Sequence, residues 1–408
     1  MRTSHRTDSR RNGAAYRPAM AAPSTDVLII GAGPVGLSAA VVLAQHGRRM
    51  TIVDQLPEGV NESRAAVVHA RTLELLEQYG VSERLVARGV RTPLFTVRDR
   101  DRVLIPVPFD GLPSRYRYTL MISQAETEAL LVGRLKELGG NVIRPARVTG
   151  LDPDPGGVTA TFEDGRRIRA AYVIGADGKN STVRELAGIP FSGGTHPLSF
   201  TLADVRLRYA PCDEVVLYFS RAGLVVVAPL PGGLHRIVAA VDTAPRAPDA
   251  TFVQHLLDTR GAQVRPAIVE EVVYGSRHLA HHKVADTFHH GRVLIIGDAA
   301  HVHSPAGGQG MNLGIEDAVL LGEALHVVLD GGSSALLEEV ATARRDVAKR
   351  VVSQVTRLTE VANFGPSRRP LRNLVLSLAG RSYFVRHRLA ANLSGLSRRG
   401  QSDGGLPG

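Results

Sequence analysis

Val27–Ile30 is a run of four apolar residues, the pattern of a strand buried on both faces of a parallel sheet. It passes directly into Gly31-Ala32-Gly33-Pro34-Val35-Gly36, and the uncharged stretch continues as a helix to about Gln45, where Gly47 stops it. A second apolar strand, Met50–Val53, ends at Asp54. The spacing predicts a helix from Ala70 to Tyr79, and Ser123 with Glu126 forms a capping box for a helix to about Leu138. Glu163-Asp164-Gly165-Arg166 is a hairpin turn returning through Tyr172-Val173-Ile174. Phe200–Leu207, Val215–Phe219, Leu224–Ala228 and His235–Val241 then read as a block of antiparallel strands. Arg292–Ile296 is another buried strand, followed by helices over 314–328 and 335–358. Leu371, Leu374 and Leu378, then Val385, Leu389 and Leu393, have the spacing of two short helices.

The chain has 408 residues, 44% hydrophobic and 22% charged, enough for two to three domains with a real core. Cys212 is the only cysteine, so a disulfide, a Cys-based zinc site and an iron–sulfur cluster are excluded and a reducing compartment, the cytoplasm, is expected. The formal charge of +10 invites a nucleic-acid reading. Its distribution argues against one: residues 1–25 carry +4 and residues 366–408 carry +7, which leaves the body at −1 and no basic groove. The N-terminal stretch lacks the apolar core of a secretory signal and reads as a disordered leader. Residues 27–44 approach a membrane span in length, but Gly31, Gly33, Pro34 and Gly36 interrupt them, so no membrane segment is expected. The basic ends are expected to lie outside the active site.

The glycines after the first strand have distinct work. Gly31 permits the tight turn, Gly33 lets backbone approach a pyrophosphate, and Gly36 lets helix and sheet pack closely, while the helix N-terminus attracts phosphate. Asp54, about 20 residues on, is placed to accept from a ribose hydroxyl. The pattern indicates a dinucleotide without distinguishing NAD from FAD. Two later strands also deliver an aspartate at their carboxyl ends: Asp177 in Gly175-Ala176-Asp177-Gly178-Lys179-Asn180-Ser181-Thr182-Val183-Arg184, and Asp298 in Gly297-Asp298-Ala299-Ala300-His301. A carboxylate at Asp298 can accept from a polyhydroxyl chain. The glycine-rich loop beyond it, Ser304-Pro305-Ala306-Gly307-Gly308-Gln309-Gly310-Met311-Asn312, can present bare backbone N–H groups to a flat polar edge.

GAGPVG, GADGKNSTVR and GDAAHVHSPAGGQGMNLGIEDA, in that order and spacing, resemble the class A flavoprotein aromatic hydroxylases, the family of para-hydroxybenzoate hydroxylase and the bacterial aromatic polyketide hydroxylases. The resemblance spans roughly 26–330 and implies an α/β fold: a Rossmann-like FAD-binding domain (26–91, 118–190 and 286–360) with an inserted antiparallel-sheet substrate domain (92–117 and 191–285) and C-terminal helices. The remainder is a leader (1–25) and a basic helical tail (361–408) with no thioredoxin-like domain. It implies noncovalent FAD held by Gly31, Gly33, Pro34, Val35, Gly36 and Asp54 at the ADP end, and by Gly297 and Asp298 at the ribityl chain. Pro305, Gly308, Gly310, Met311 and Asn312 would stand around the flavin ring, and Arg64 and Gln124 match flavin-contacting positions. Asp177 is implied for FAD, and Asp177 with Arg184 for NADPH or NADH. The catalytic residue itself is unassigned, with Pro305 and the loop of Gly307, Gly308, Gln309 and Gly310 beside the flavin, and Arg64, as candidates.

The implied activity is an NAD(P)H- and O2-dependent hydroxylation of a small aromatic, phenolic or polyketide-type substrate through a flavin C4a-hydroperoxide. An epoxidase, a Baeyer–Villiger enzyme or a non-catalytic FAD-binding redox sensor would carry the same motifs, whereas a flavin halogenase would need a tryptophan motif that this Trp-free chain lacks. His278, His281, His282, His289, His290, His301 and His303 crowd around the Asp298 motif, but none has zinc-helix spacing, so no metal is expected. His289-His290-Gly291 reads as a turn. Arg206, Tyr218, Arg221 and His235 stand in the strand block as pocket candidates whose inward face alternation alone does not decide.

Overall fold

A computed structural model describes residues 24–59, 65–220, 222–362 and 369–400. The first strand, Ser24–Ile30, lies in the middle of a sheet between Arg167–Gly175 and Met50–Val53, both parallel to it. Val293–Ile295 extends the sheet beyond Arg167–Gly175, and Val142–Ile143 extends it beyond Met50–Val53. Val27, Leu28 and Ile29 are fully buried, which is why the strand needs no polar alternation. The helix Pro34–Gln45 is apolar nearly all round, with eight consecutive buried residues from Gly36 to Leu43, since Gln309–Leu329 and Gln124–Glu137 pack on it. Ser123 caps the latter helix by accepting from the Glu126 N–H at 3.1 Å, but the Glu126 carboxylate pairs with Arg88 at 3.2 Å.

A second sheet runs in the order His301–Val302, Ile268–Ala285, Phe191–Arg208, Leu234–Val241, Gly223–Leu230, Glu214–Ser220, Leu94–Asp99 and Arg102–Pro108. Its pairs are antiparallel except Glu214–Ser220 with Leu94–Asp99, which is parallel because the connection crosses from the other sheet. The helix Ala250–Arg260, not anticipated in the strand block, covers one face. Asp249 caps it, accepting from the Phe252 N–H at 2.8 Å. His289–His290 forms a short strand against Val293–Leu294 rather than only a turn.

The basic C-terminal residues include Arg369–Ala379 and Tyr383–Leu393, helices that pack on the Arg102–Pro108 edge strand. Among the described residues no helix is long and apolar enough to cross a membrane, and no three His, Cys, Asp or Glu side chains converge as a metal site.

Candidate functional site

The three glycine motifs meet around Val35. A β-carbon on Gly297 would stand 3.0 Å from the Val35 methyls, and one on Gly314 would stand 3.0 Å from Gly297 Cα. The N-terminus of Pro34–Gln45, the turn carrying Asp298 and the first turns of Gln309–Leu329 are therefore packed together. Gly31, at φ +105°, lies where a β-carbon would overlap the Ala176 carbonyl, which joins the first motif to the second.

Both helix N-termini at this junction are bare. Gly33 and Gly308 are the N-caps, neither helix has a side-chain cap, and neither has an acidic residue in its first turn. The partial positive charge of each end is left for an outside anion or carbonyl. Nothing approaches within 4 Å of the open side of Gly33. Asp298 is exposed between the two ends with no protein hydrogen bond among the described residues. His303 Nδ1–H donates to the Ser304 carbonyl at 2.7 Å, so its other nitrogen is a bare acceptor. That Nε2 is buried, unpartnered and 3.8 Å from the β-carbon position of Gly310, while burial holds the ring's pKa down. Two uncapped N-termini, a free carboxylate and an orphaned acceptor fit a long ligand with phosphates at one end and a polar ring at the other.

At the phosphate end, Asp54 Oδ2 accepts from the Ala32 N–H at 2.7 Å and Oδ1 from the Leu56 N–H at 2.9 Å. Arg144, which no motif marks, donates from Nη2 to the Ala32 carbonyl at 3.1 Å, so the glycine turn is gripped from both sides. Gln124 accepts from the Ala65 N–H at 3.2 Å and donates to Glu128 at 2.9 Å, anchoring the chain where it emerges from 60–64. Arg64 lies outside the described residues, as does Arg221.

Asp177 accepts from Ser181 Oγ at 2.5 Å and the Val183 N–H at 3.1 Å, and burial raises its pKa. Arg184 is only 6% exposed, stacks on Phe191 at 4.0 Å and donates to the Ala299 and Lys179 carbonyls. These two residues tie the second motif to the Asp298 turn from inside the fold. Arg184 presents no free surface to a visiting nicotinamide, because it is buried and its guanidinium is taken up by backbone carbonyls, whereas Asp177 is half-exposed and its carboxylate keeps lone pairs beyond the two bonds it accepts.

The loop is braced from behind. Gly308 has φ +60°, and a β-carbon there would overlap Val67. Asn312 is fully buried, accepting from the His69 N–H and Thr72 hydroxyl at 2.8 Å and donating to the Val67 and Gly308 carbonyls, so only its backbone remains for a ligand. His69 Nε2–H meets the Gly307 carbonyl at 3.1 Å. Pro305, Gly310 and Met311 stay half-exposed along the loop, whereas Gln309 is buried, its amide turned toward the Leu393 carbonyl and Arg398.

Sequence reasoning missed the charges beneath this loop. Arg398 Nη1 donates to Gln309 at 3.1 Å, and its other nitrogens hold Glu316 at 2.5 and 3.1 Å. Arg344 bonds Asp317 at 2.7 Å, and Asp317 bonds His301 Nε2 at 2.6 Å, all with side chains fully buried. Burial opposes ionisation of Asp317, but Arg344 and His301 outweigh it and hold the carboxyl below its ordinary range. The C-terminal tail therefore touches the loop, contrary to the expectation that the basic ends lie outside the site. The adjacent acids Glu316 and Asp317, set between Leu313-Gly314-Ile315 and Ala318-Val319-Leu320-Leu321, were the available signal, since buried carboxylates demand cations.

The second sheet supplies the facing surface. Val216, Tyr218, Val225, Val227, Ile237 and Ala239 point to the helix Ala250–Arg260. The opposite face carries an apolar row across five strands: Leu202, Val238, Val226, Leu217 and Val97 are register neighbours. On this face Val215, Ala228 and Leu230 pack with Ala66 and Met121 of the first layer, yet Leu217, Val226 and Val238 stay half-exposed. Of the pocket candidates, Tyr218 is core, His235 bonds the Pro211 carbonyl at 3.1 Å, and Arg206 is exposed and paired with Glu271.

A family model described as an FAD binding domain matches residues 24–355. A 12-dehydrotetracycline 5-monooxygenase/anhydrotetracycline 6-monooxygenase of Streptomyces rimosus is 34% identical over 377 residues, spanning 86% of this chain and 73% of the relative. A dialkyldecalin synthase of Streptomyces rugosporus is 32% identical over 377 residues, spanning 89% and 79%. Among solved structures, the OxyS anhydrotetracycline hydroxylase from Streptomyces rimosus superposes with a TM-score of 0.76 at 32% identity, covering 91% of this chain and 76% of that one.

Proposed function

Because this chain belongs to the FAD binding domain family, we propose that it is an FAD-dependent monooxygenase that uses NAD(P)H and O2 to hydroxylate a flat, polycyclic aromatic substrate of the polyketide type. The observation that carries the reading is the pair of uncapped helix N-termini with the exposed Asp298 carboxylate, which has no hydrogen bond among the described residues, between them. FAD, when bound there, supplies the redox chemistry that passes reducing equivalents to O2. The chain's own part is binding, orientation and exclusion of water. The N–H groups after Gly33 take the pyrophosphate, Asp54 keeps lone pairs for the adenosine ribose, and Asp298 accepts from the ribityl hydroxyls. The backbone N–H groups at Gly310 and Met311, in the uncapped first turn of their helix, would hold the polar edge of the flavin and favour negative charge there. The half-exposed row of Leu217, Val226 and Val238 suits an aromatic face rather than a charged or sugar-like one.

The dialkyldecalin synthase on the same scaffold makes product analysis the decisive test. FAD-reconstituted protein is given NAD(P)H and a panel of polycyclic phenols and quinones under 18O2. One labelled oxygen atom in the product, with matching NAD(P)H consumption, is the expected result. A product isomeric with its precursor and free of label would refute oxygen transfer.

A further inference from the structure

We propose that an open basic cleft beside the flavin loop is the docking subsite for the phosphates of the pyridine nucleotide; this rests on the monooxygenase reading above. The cleft, of about 430 Å³, lies between the long helix Ala335–Ala362 and the paired strands Phe191–Arg208 and Ile268–Ala285. Lys349, Ser353, Thr356 and Arg357 recur along one face of the helix at spacings of four, seven and eight, and they confront Ser192 and His282 on the strands. Hydroxyls and cations at this density are the donor set of a phosphate site.

Three observations select this cleft. Lys349 and Arg357 have no carboxylate partner among the described residues, whereas Arg84, Arg169, Arg206 and Arg208 are each neutralised by one. Ser192, which lines the cleft, donates its hydroxyl to Asp286 at 2.9 Å, and no lining residue is a carboxylate among the described residues. The floor, Val284 and Val352, adjoins the flavin loop: Val284 pairs with His301 and Lys283 with Val302, and the same helix packs against Ala306–Gly308. Finally, Arg184, the cation of the second motif, is buried with its guanidinium engaged by backbone carbonyls, so it offers no charge to a phosphate, and the single glycine-rich dinucleotide turn is taken by FAD. A reductant that arrives, gives up its hydride and leaves needs an open site of nucleotide size that does not compete for that turn, and the cleft has both properties.

The test uses the FAD-loaded protein and the double variant Lys349→Ala/Arg357→Ala, with Arg357→Lys as the conservative control. ADP-ribose and 2′,5′-ADP are titrated by calorimetry, and KM and kcat for NADPH and NADH are measured alongside FAD retention. Loss of two solvent-exposed ionic contacts should weaken ADP-ribose binding and raise KM about tenfold, with kcat at saturating nucleotide unchanged and Arg357→Lys close to the parent. Unchanged nucleotide binding in the double variant would overturn the proposal, as would competition by 4′-phosphopantetheine but not by ADP-ribose. Parent protein that holds no FAD or transfers no oxygen would instead overturn the monooxygenase reading.

Discussion

Acid should weaken this protein through His69 in a measurable way. The side chain is 3% exposed, its Nε2–H is given to the Gly307 carbonyl, and its Nδ1 has no partner among the described residues. Burial, reinforced by the nearby Arg398 guanidinium, lowers its pKa from 6.5 to about 4. Between those two values the unfolded chain binds a proton that the native state refuses, so this contribution is whole above about pH 6.5 and is lost as pH falls toward 4. Two and a half pH units correspond to about 3 kcal/mol, a large share of the roughly 5–15 kcal/mol by which domains are stable. The assay is urea unfolding of parent and His69→Gln at steps from pH 7 to pH 4, Gln being able to donate to the same carbonyl. His303 and His235, also depressed by burial, add acid loss of the same sign to both proteins, so the difference between the curves isolates His69. The parent should lose about 3 kcal/mol more than the variant over this range, and release FAD at a higher pH. Parallel curves would refute the reasoning.

Asp298→Ala should weaken FAD binding by about tenfold to a hundredfold, since a charged acceptor is worth about 1.5–3 kcal/mol; a folded variant with parental affinity by flavin-fluorescence titration would remove Asp298 from that role. Gly308→Ala must move Val67 and hold a left-handed backbone, at a cost of about 1–3 kcal/mol, so its melting temperature and FAD affinity should both fall, and parental values in both would contradict the close packing. Arg398→Gln leaves Glu316 to Arg344 alone at 3.5 Å and should destabilise the fold by about 3 kcal/mol in denaturant unfolding; a change within about 0.5 kcal/mol would mean that Arg398 is solvated. Reduction of the flavin in anaerobic stopped flow should be much faster with the true substrate present than without it, and equal rates with a product-forming substrate would exclude substrate gating.

The parallel layer was legible because its signals are local. Met50–Val53 has the bounds its apolar run predicts, and Pro34–Gln45 begins where a proline after a glycine turn can begin a helix. The strand block was legible as strands, but its faces were not: alternation puts Leu217 and Tyr218 on opposite sides without saying which side meets a helix. That depended on Ala250–Arg260, whose Asp249 cap was a readable signal that the apolar alternation around it concealed. Candidate residues divide the same way. Asp298 stands free where its motif implied, whereas Asn312, Asp177 and Arg184 have side chains engaged by the fold, a distinction that only tertiary contacts reveal.

The charge count misled at the C-terminus for a reason with consequences. A run of arginines without acids reads as a basic tail outside the active site, and that reading assumes that each charge finds its partner in water or nearby in sequence. Arg398 finds Glu316 eighty-two residues away, and Arg344 finds Asp317, so two cations enter the core because two anions are already there. The anions sit in the second turn of the helix whose N-terminus faces the flavin position, and Gln309, the first residue of that helix, is held by the same Arg398. Breaking one link would leave an unpaired charge in a dry interior, so the network resists partial loosening of the loop more strongly than an apolar contact of equal size would. The brace on the loop is thus built from the part of the chain most distant in sequence from the first glycine turn, and a truncation that spares all three glycine motifs but ends before Arg398 should lose loop order together with FAD affinity.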